Sequence, residues 1–162
     1  MTSDAPEVPQ DGGLGAPLTF HHVCLVVEDL DQAEAYLTRL GIGPWRDYPP
    51  LTDYVELDVP DRTAFLECRY RVADVGELQF QLCQPPDKPC PQREFLDSHG
   101  PGVFQVGFEV PEVERAQAAA AAHGFGQVMS GRRQDGSGFV YLDTVAGIGT
   151  HFVARQSPAS SD

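Results

Sequence analysis

The chain has 162 residues, 41% of them hydrophobic, and its 24 acidic against 11 basic side chains give a formal charge of −13. That length can bury one sizeable core, and so few Lys and Arg argue against nucleic acid, whose affinity rests on clustered cations. The acidic balance would suit a cationic ligand, or be no more than a solvated surface.

Residues 1–17 mix Pro, Gly and acids without periodicity and 156–162 are Ser-rich, so both are expected to be mobile tails. The start lacks the basic and apolar regions of a secretory signal. No run approaches the roughly 20 apolar residues of a membrane span, so a soluble, cytoplasmic protein with no membrane partner is expected. From Leu18 to Val27, LTFHHVCLVV reads as a strand. Alternation sends His21 and His22 to opposite faces, with Phe20, His22 and Cys24 on one, so only one histidine is expected at an interior site.

Asp29 and Gln32 then form a capping-box pair. Leu30, Ala33, Tyr36, Leu37 and Leu40 give the following helix an apolar stripe, and Gly41 suits its left-handed cap. The four prolines of GPWRDYPPLTDYVELDVPDR leave room for short extended pieces at Trp45 to Tyr48 and Tyr54 to Leu57, and mark a movable pocket wall. Thr63 to Val72 and Glu77 to Cys83 read as two strands, the second carrying Gln79, Gln81 and Cys83 on one face. A Pro-rich connector and a helical turn, REFLDSHG, lead to Gly100.

Val103 to Val110 is the next strand, Pro111 suits a first helical position, and the Ala-rich run to Ala122 makes a side-chain-poor helix. Gln127 to Met129, Phe139 to Leu142 and Thr150 to Arg155 read as strands. The RRQDGSG stretch is a hairpin rather than a phosphate loop, because no helix follows it. The four cysteines show no CxxC pairing, and a disulfide framework, a zinc site or a nucleophilic thiol is not indicated.

A repeat organises these elements. HVCLVVEDLDQAEAYLTRLGIG, residues 22–43, returns without a gap as QVGFEVPEVERAQAAAAAHGFG, residues 105–126, pairing His22 with Gln105 and Gly41 with Gly124. Two copies are too few for a solenoid, so two half-domains around one core are expected.

The runs HHVCLVVEDLDQAEAYL, LGIGPW, LQFQLCQPP, HGPGVFQVGFEV and YLDTVAGIGTHFV, in this order, resemble the vicinal oxygen chelate superfamily of glyoxalases, dioxygenases and bleomycin-resistance proteins. They look most like its methylmalonyl-CoA epimerase-related branch. The resemblance implies an α+β fold in which two βαβββ modules, about 18–84 and 103–155 with a linker at 85–102, form an open curved barrel around a cavity. It also implies that His22, Gln81, Gln105 and Val153 stand where metal-using members place ligands. Two of those positions depart from the family pattern, since a neutral amide is a weak ligand and Val153 is none. No metal or other cofactor is therefore expected; the alternative is one divalent ion held by His22, Gln81 and His151, the last sharing a strand face with Val153.

The expected ligand is a small molecule, contacted by Gln79, Gln81, Gln105, Trp45, Tyr54 and Tyr141. The leading reading is a metal-independent enzyme of isomerase or lyase type that epimerises, isomerises or cyclises a carbonyl-containing metabolite, with a ring system of specialised metabolism as the expected substrate. His22 or His151 would exchange the proton, Glu109 is a candidate second carboxylate, and the Gln amides would hold an enolate oxygen. The alternatives are a drug-sequestering binding protein and a metal-dependent epimerase with altered ligands. A homodimer is one of two assemblies open to such a chain.

Overall fold

The computed structural model describes residues 13–14 and 18–159. The expected tails therefore lie largely outside the described residues. Strand β1 (Thr19–Val26) leads into helix α1 (Leu30–Thr38), whose N-cap Asp29 accepts from the Gln32 amide at 2.9 Å. A cap of this kind stabilises a helix by about 1 kcal/mol. Leu30 then packs with Val27 and Leu82 against the outer face of the sheet, and Gly41 takes the left-handed φ of 90° that ends the helix.

Next come β2 (Arg46–Asp47), a 3-10 turn (Leu51–Asp53), β3 (Tyr54–Asp58), α2 (Arg62–Glu67), β4 (Arg69–Val75) and β5 (Leu78–Gln84). The stretch from Thr63, expected to be a strand, begins as helix α2. Asp61 caps it, accepting from the Ala64 amide at 2.8 Å, and Ala64 and Phe65 are buried. Here a local cap overrides aromatic and β-branched composition.

Helix α3 (Pro91–His99) bridges to the second half, built of β6 (Gly102–Glu109), α4 (Val113–Ala122), β7 (Gln127–Arg133), β8 (Gly138–Leu142), a short helix α5 (Val145–Ile148) and β9 (His151–Gln156). Pro111, expected at the first helical position, lies before the helix: Glu112 is the N-cap and Val113 the first residue of α4. Gln156, expected in the tail, closes β9 and accepts from the Val113 amide at 3.0 Å. The small side chains Ala116 and Ala120 let α4 sit close on Val140 and Ala154. Among the described residues no helix is long and apolar enough to cross a membrane.

All nine strands form one curved, unclosed sheet in the order β2-β4-β5-β1-β6-β9-β8-β7-β3. Its centre is the antiparallel β1/β6 pair, in which His22 faces Gly107, Val23 faces Val106 and Cys24 faces Gln105. The repeat maps His22 onto Gln105 and Cys24 onto Gly107, so this crosswise pairing puts a local two-fold axis between Val23 and Val106. One departure breaks the symmetry. Strand β3 follows β2 in sequence, yet pairs with β7 of the second half. Residues 46–58 thus run as a strap from one free edge of the sheet to the other, across the open side.

Candidate active site

Inside the curve lies a cavity of about 560 Å³ whose wall includes His21, His22, Gln79, Gln81, Gln105, Tyr54, Tyr141 and the strap residues Tyr48 to Leu51. That volume suits a small organic ligand. A larger groove of about 1250 Å³ runs outside, between α1, the strap and β4. Its Arg71 is committed to Glu34 at 2.8 Å and Asp47 at 2.6 Å.

Both histidines reach the cavity, contrary to the alternation expected of β1. The register slips between Phe20 and His22, so His21 is the extra residue of a β-bulge and turns inward with its neighbour. The partner strand slips between the residues facing Cys24 and Leu25, which makes Phe104 the bulged residue there. His21-His22 and Phe104-Gln105 are thus the same feature in the two repeats. Gly107 completes it: a Cβ there would stand 2.0 to 2.5 Å from three atoms of the His22 ring, so the imidazole occupies space that only glycine leaves open.

Hydrogen bonding fixes the proton positions in this pair. The guanidinium of Arg155 can only donate, and its Nη1 approaches His21 Nε2. His21 then carries its proton on Nδ1 and donates to His22 Nδ1 at 2.9 Å, which leaves His22 with its proton on Nε2. Burial, reinforced by His21 and Arg155, depresses the His22 imidazole to about 3. Burial and Arg155 also lower His21, against opposing pulls from Glu109 and Asp74. At neutral pH, therefore, His22 is an uncharged N–H donor rather than an acid–base group poised near 7.

The glutamines form a second directed chain. Gln79 Nε2 reaches Asp74 Oδ1 at 3.5 Å, Gln81 Nε2 donates to Gln79 Oε1 at 2.8 Å, and Gln105 Nε2 to Gln81 Oε1 at 3.4 Å. An aspartate can only accept, which sets the direction. The chain ends on Gln105 Oε1, buried and without a partner. The wall of one cavity thus holds a neutral imidazole donor and a buried, unmet amide acceptor, groups suited to a carbonyl and its enol.

Other expected site residues lie elsewhere. His151 sits beyond the cavity wall, its ring 4.8 Å from Phe104 and its Nδ1 3.3 Å from the Leu142 carbonyl. Glu109 is tied outside the wall, accepting from the Ser157 amide at 2.6 Å and ion-paired with Arg155 at 3.4 Å. Trp45 points to the helix side, where Nε1 donates to Thr38 Oγ1 at 3.1 Å and the ring packs against the α1 cluster. Arg46, Arg133 and Arg155, which no sequence motif marks as site residues, also line the cavity. Among the described residues the one carboxylate in that wall is Asp47, held by Arg71. The overall charge of −13 therefore does not carry into this wall, which holds three arginines.

The sequence resemblance implies metal positions at His22, Gln81, Gln105 and Val153. Val153 is buried in the cavity wall with no donor atom, and the two glutamines are engaged with each other. His151 does not join His22 and Gln81, and among the described residues no three His, Cys, Asp or Glu side chains gather as a metal site. One imidazole and two amides do not fit a conventional divalent centre. The four cysteines are buried and unpaired, and burial pushes the Cys24 thiol up, which suits packing rather than nucleophilic attack.

An open curved sheet built from two repeats around one cavity defines the glyoxalase class of α+β protein. The family model described as Glyoxalase/Bleomycin resistance protein/Dioxygenase superfamily matches residues 21–141, and the chain belongs to that superfamily. Among solved structures it is similar to methylmalonyl-CoA epimerase from Mycobacterium tuberculosis, at 23% identity over 87% of this chain and 88% of that one, with a TM-score of 0.63. The Streptomyces coelicolor methylmalonyl-CoA epimerase in complex with 2-nitronate-propionyl-CoA is 19% identical over 88% and 99% of the two chains, with a TM-score of 0.65. A hypothetical protein from Bacillus halodurans C-125 gives 12% identity over 91% and 99%, with a TM-score of 0.66. At these identities the likeness is one of fold. No curated protein sequence matches the chain.

Proposed function

We propose that this protein is an isomerase of epimerase type that moves a proton on a small carbonyl-containing metabolite through its enol, without the four-ligand metal of its superfamily. The observation that carries this reading is the pairing of an uncharged His22 Nε2–H donor with the unmet Gln105 Oε1 acceptor in one cavity. His22 polarises the carbonyl oxygen, and Gln105 accepts from the enol O–H as it forms. Solved neighbours named as epimerases support the reaction class. Both imidazole lone pairs are already used, His22 Nδ1 accepting from His21 and His21 Nε2 from Arg155, so solvent water takes the proton from carbon and passes it to the enol oxygen. Water is a weak base, and Brønsted behaviour then restricts the substrate to a carbon acid activated by two carbonyl groups.

A second reading is non-catalytic binding of the same ligand, favoured by the missing free carboxylate and by Val153 in a ligand position. Proton NMR in D2O separates the two. A panel of 2-substituted 3-oxo acids and their thioesters is expected to exchange the α-hydrogen faster than the buffer background, and the His22→Ala protein to lose that gain. Saturable binding of a panel member with no exchange above background rejects catalysis and leaves the binding reading.

A further inference from the structure

We propose that Arg133 is an anion anchor in the cavity wall that takes the carboxylate of the ligand through the paired Nε and Nη2 edge of its guanidinium. This rests on the cavity being the ligand site, as proposed above, and adds the charge class of the ligand.

Three arginines line the cavity, and their partners separate them. Arg46 is paired with Asp74 at 2.8 Å and Arg155 with Glu109 at 3.4 Å. Arg133 has no carboxylate partner among the described residues. Its guanidinium carbon lies 4.2 Å from the centre of the Tyr54 ring and 5.7 Å from that of Tyr48, so aromatic faces hold it from the side. Its Nε and Nη2 are both buried and without a hydrogen-bond partner.

Those two nitrogens form one edge of the planar guanidinium and send two parallel N–H bonds outward, the fork that matches the two oxygens of a carboxylate. A buried charged donor left unmet is costly. Both donors of one fork being unmet, on a residue whose position is set by Tyr54 opposite it in the sheet, points to a partner that arrives with the ligand. Neither nitrogen is open to water, and Tyr48 on the strap is one of the two rings against the guanidinium. The carboxylate therefore seats as the Tyr48 side of the wall gives way. Arg133 holds one end of the molecule while His22 and Gln105 meet its carbonyl.

The test uses the full chain with its arginine side chains labelled with nitrogen-15, and reads the Arg133 Nε–H resonance, assigned from the Arg133→Lys protein. Acetate, acetamide and inorganic phosphate are the probes. Acetate is expected to shift the resonance saturably and acetamide, of the same shape without the charge, to leave it in place. A 3-oxo acid that binds the wild type should bind Arg133→Lys at least tenfold more weakly, because an ammonium cannot form the fork, while Arg115→Gln, an exposed charge change on α4, binds as wild type. Equal responses to acetate and acetamide, undiminished binding to Arg133→Lys, or a response to phosphate alone would overturn the carboxylate assignment. Acetate capture without α-hydrogen exchange on any substrate would leave the anchor standing and remove only the catalytic reading.

Discussion

Replacing Gly107 by alanine tests the placement of His22 most sharply. The new methyl group would lie 2.0 Å from Cε1, 2.3 Å from Nδ1 and 2.5 Å from Nε2 of the imidazole. Ordinary contact needs well over 3 Å, so the ring has to move by more than 1 Å or the two central strands must part. The ring is held by the 2.9 Å bond from His21, and the strands are the middle of the sheet. Overpacking of this kind costs about 1–3 kcal/mol, which for a domain of this size lowers the melting temperature by about 2 to 12 °C. Gly131→Ala is the comparison, because its methyl group would meet Phe139 at 2.7 Å and Leu57 at 3.0 Å, away from the histidines. Thermal melting and imidazole nitrogen NMR on both proteins are the assays. Both variants should lose stability, and only Gly107→Ala should shift the His22 resonances. A Gly107→Ala protein with wild-type melting and unchanged His22 signals would refute the geometry on which the site rests.

Other expectations follow from the same wall. His22 is depressed from 6.5 to about 3, so its contribution to stability is whole above the unfolded value and is lost as pH falls toward the folded one; between pH 6.5 and 4.5 the loss is about 2.3 kcal/mol, approaching about 1.4 kcal/mol per pH unit. Urea unfolding should show His22→Gln losing less stability than wild type over that interval, and equal losses would contradict a buried neutral imidazole. Arg155→Met removes the donor that fixes His21, so nitrogen NMR should find the His22 proton no longer confined to Nε2; an unchanged tautomer would mean that Arg155 plays no positioning part. Gln105→His combined with Val153→Glu restores the family's donor types, and one equivalent of nickel or cobalt by mass spectrometry is expected in that protein. No uptake would place those side chains off the ligand positions.

Much of this arrangement was legible in the residues. Asp29, Gln32 and Gly41 specify α1 and its ends locally, and the alternation of Gln79 and Gln81 puts both on the cavity face. The repeat identified His22 and Gln105 as equivalents before any pairing was known. What escaped was set by non-local geometry. A bulge adds one residue to a strand and turns His21 inward, and alternation cannot register it; the repeat-matched slip at Phe104 appears only once the strands are paired. Gly107 was a visible signal, a glycine inside a strand pattern, which marks close approach. Arg133 and Arg155 stand at strand ends, where a charged residue reads as solvated, and the strap and the inward turn of β9 bring them to the cavity. Trp45 and His151 have the right chemistry, but one packs on the helix side of the sheet and the other past the cavity wall.

The most direct test of the central claim joins metal content to chemistry. The protein is purified without chelator, its metals are counted by elemental mass spectrometry, and α-hydrogen exchange of a responsive 3-oxo acid is measured before and after exhaustive chelation and reloading. The expected result is no stoichiometric metal and an exchange rate that chelation leaves unchanged and His22→Ala abolishes. One equivalent of a divalent ion that is lost in His22→Ala, with exchange that fails on chelation and returns on reloading, would contradict it.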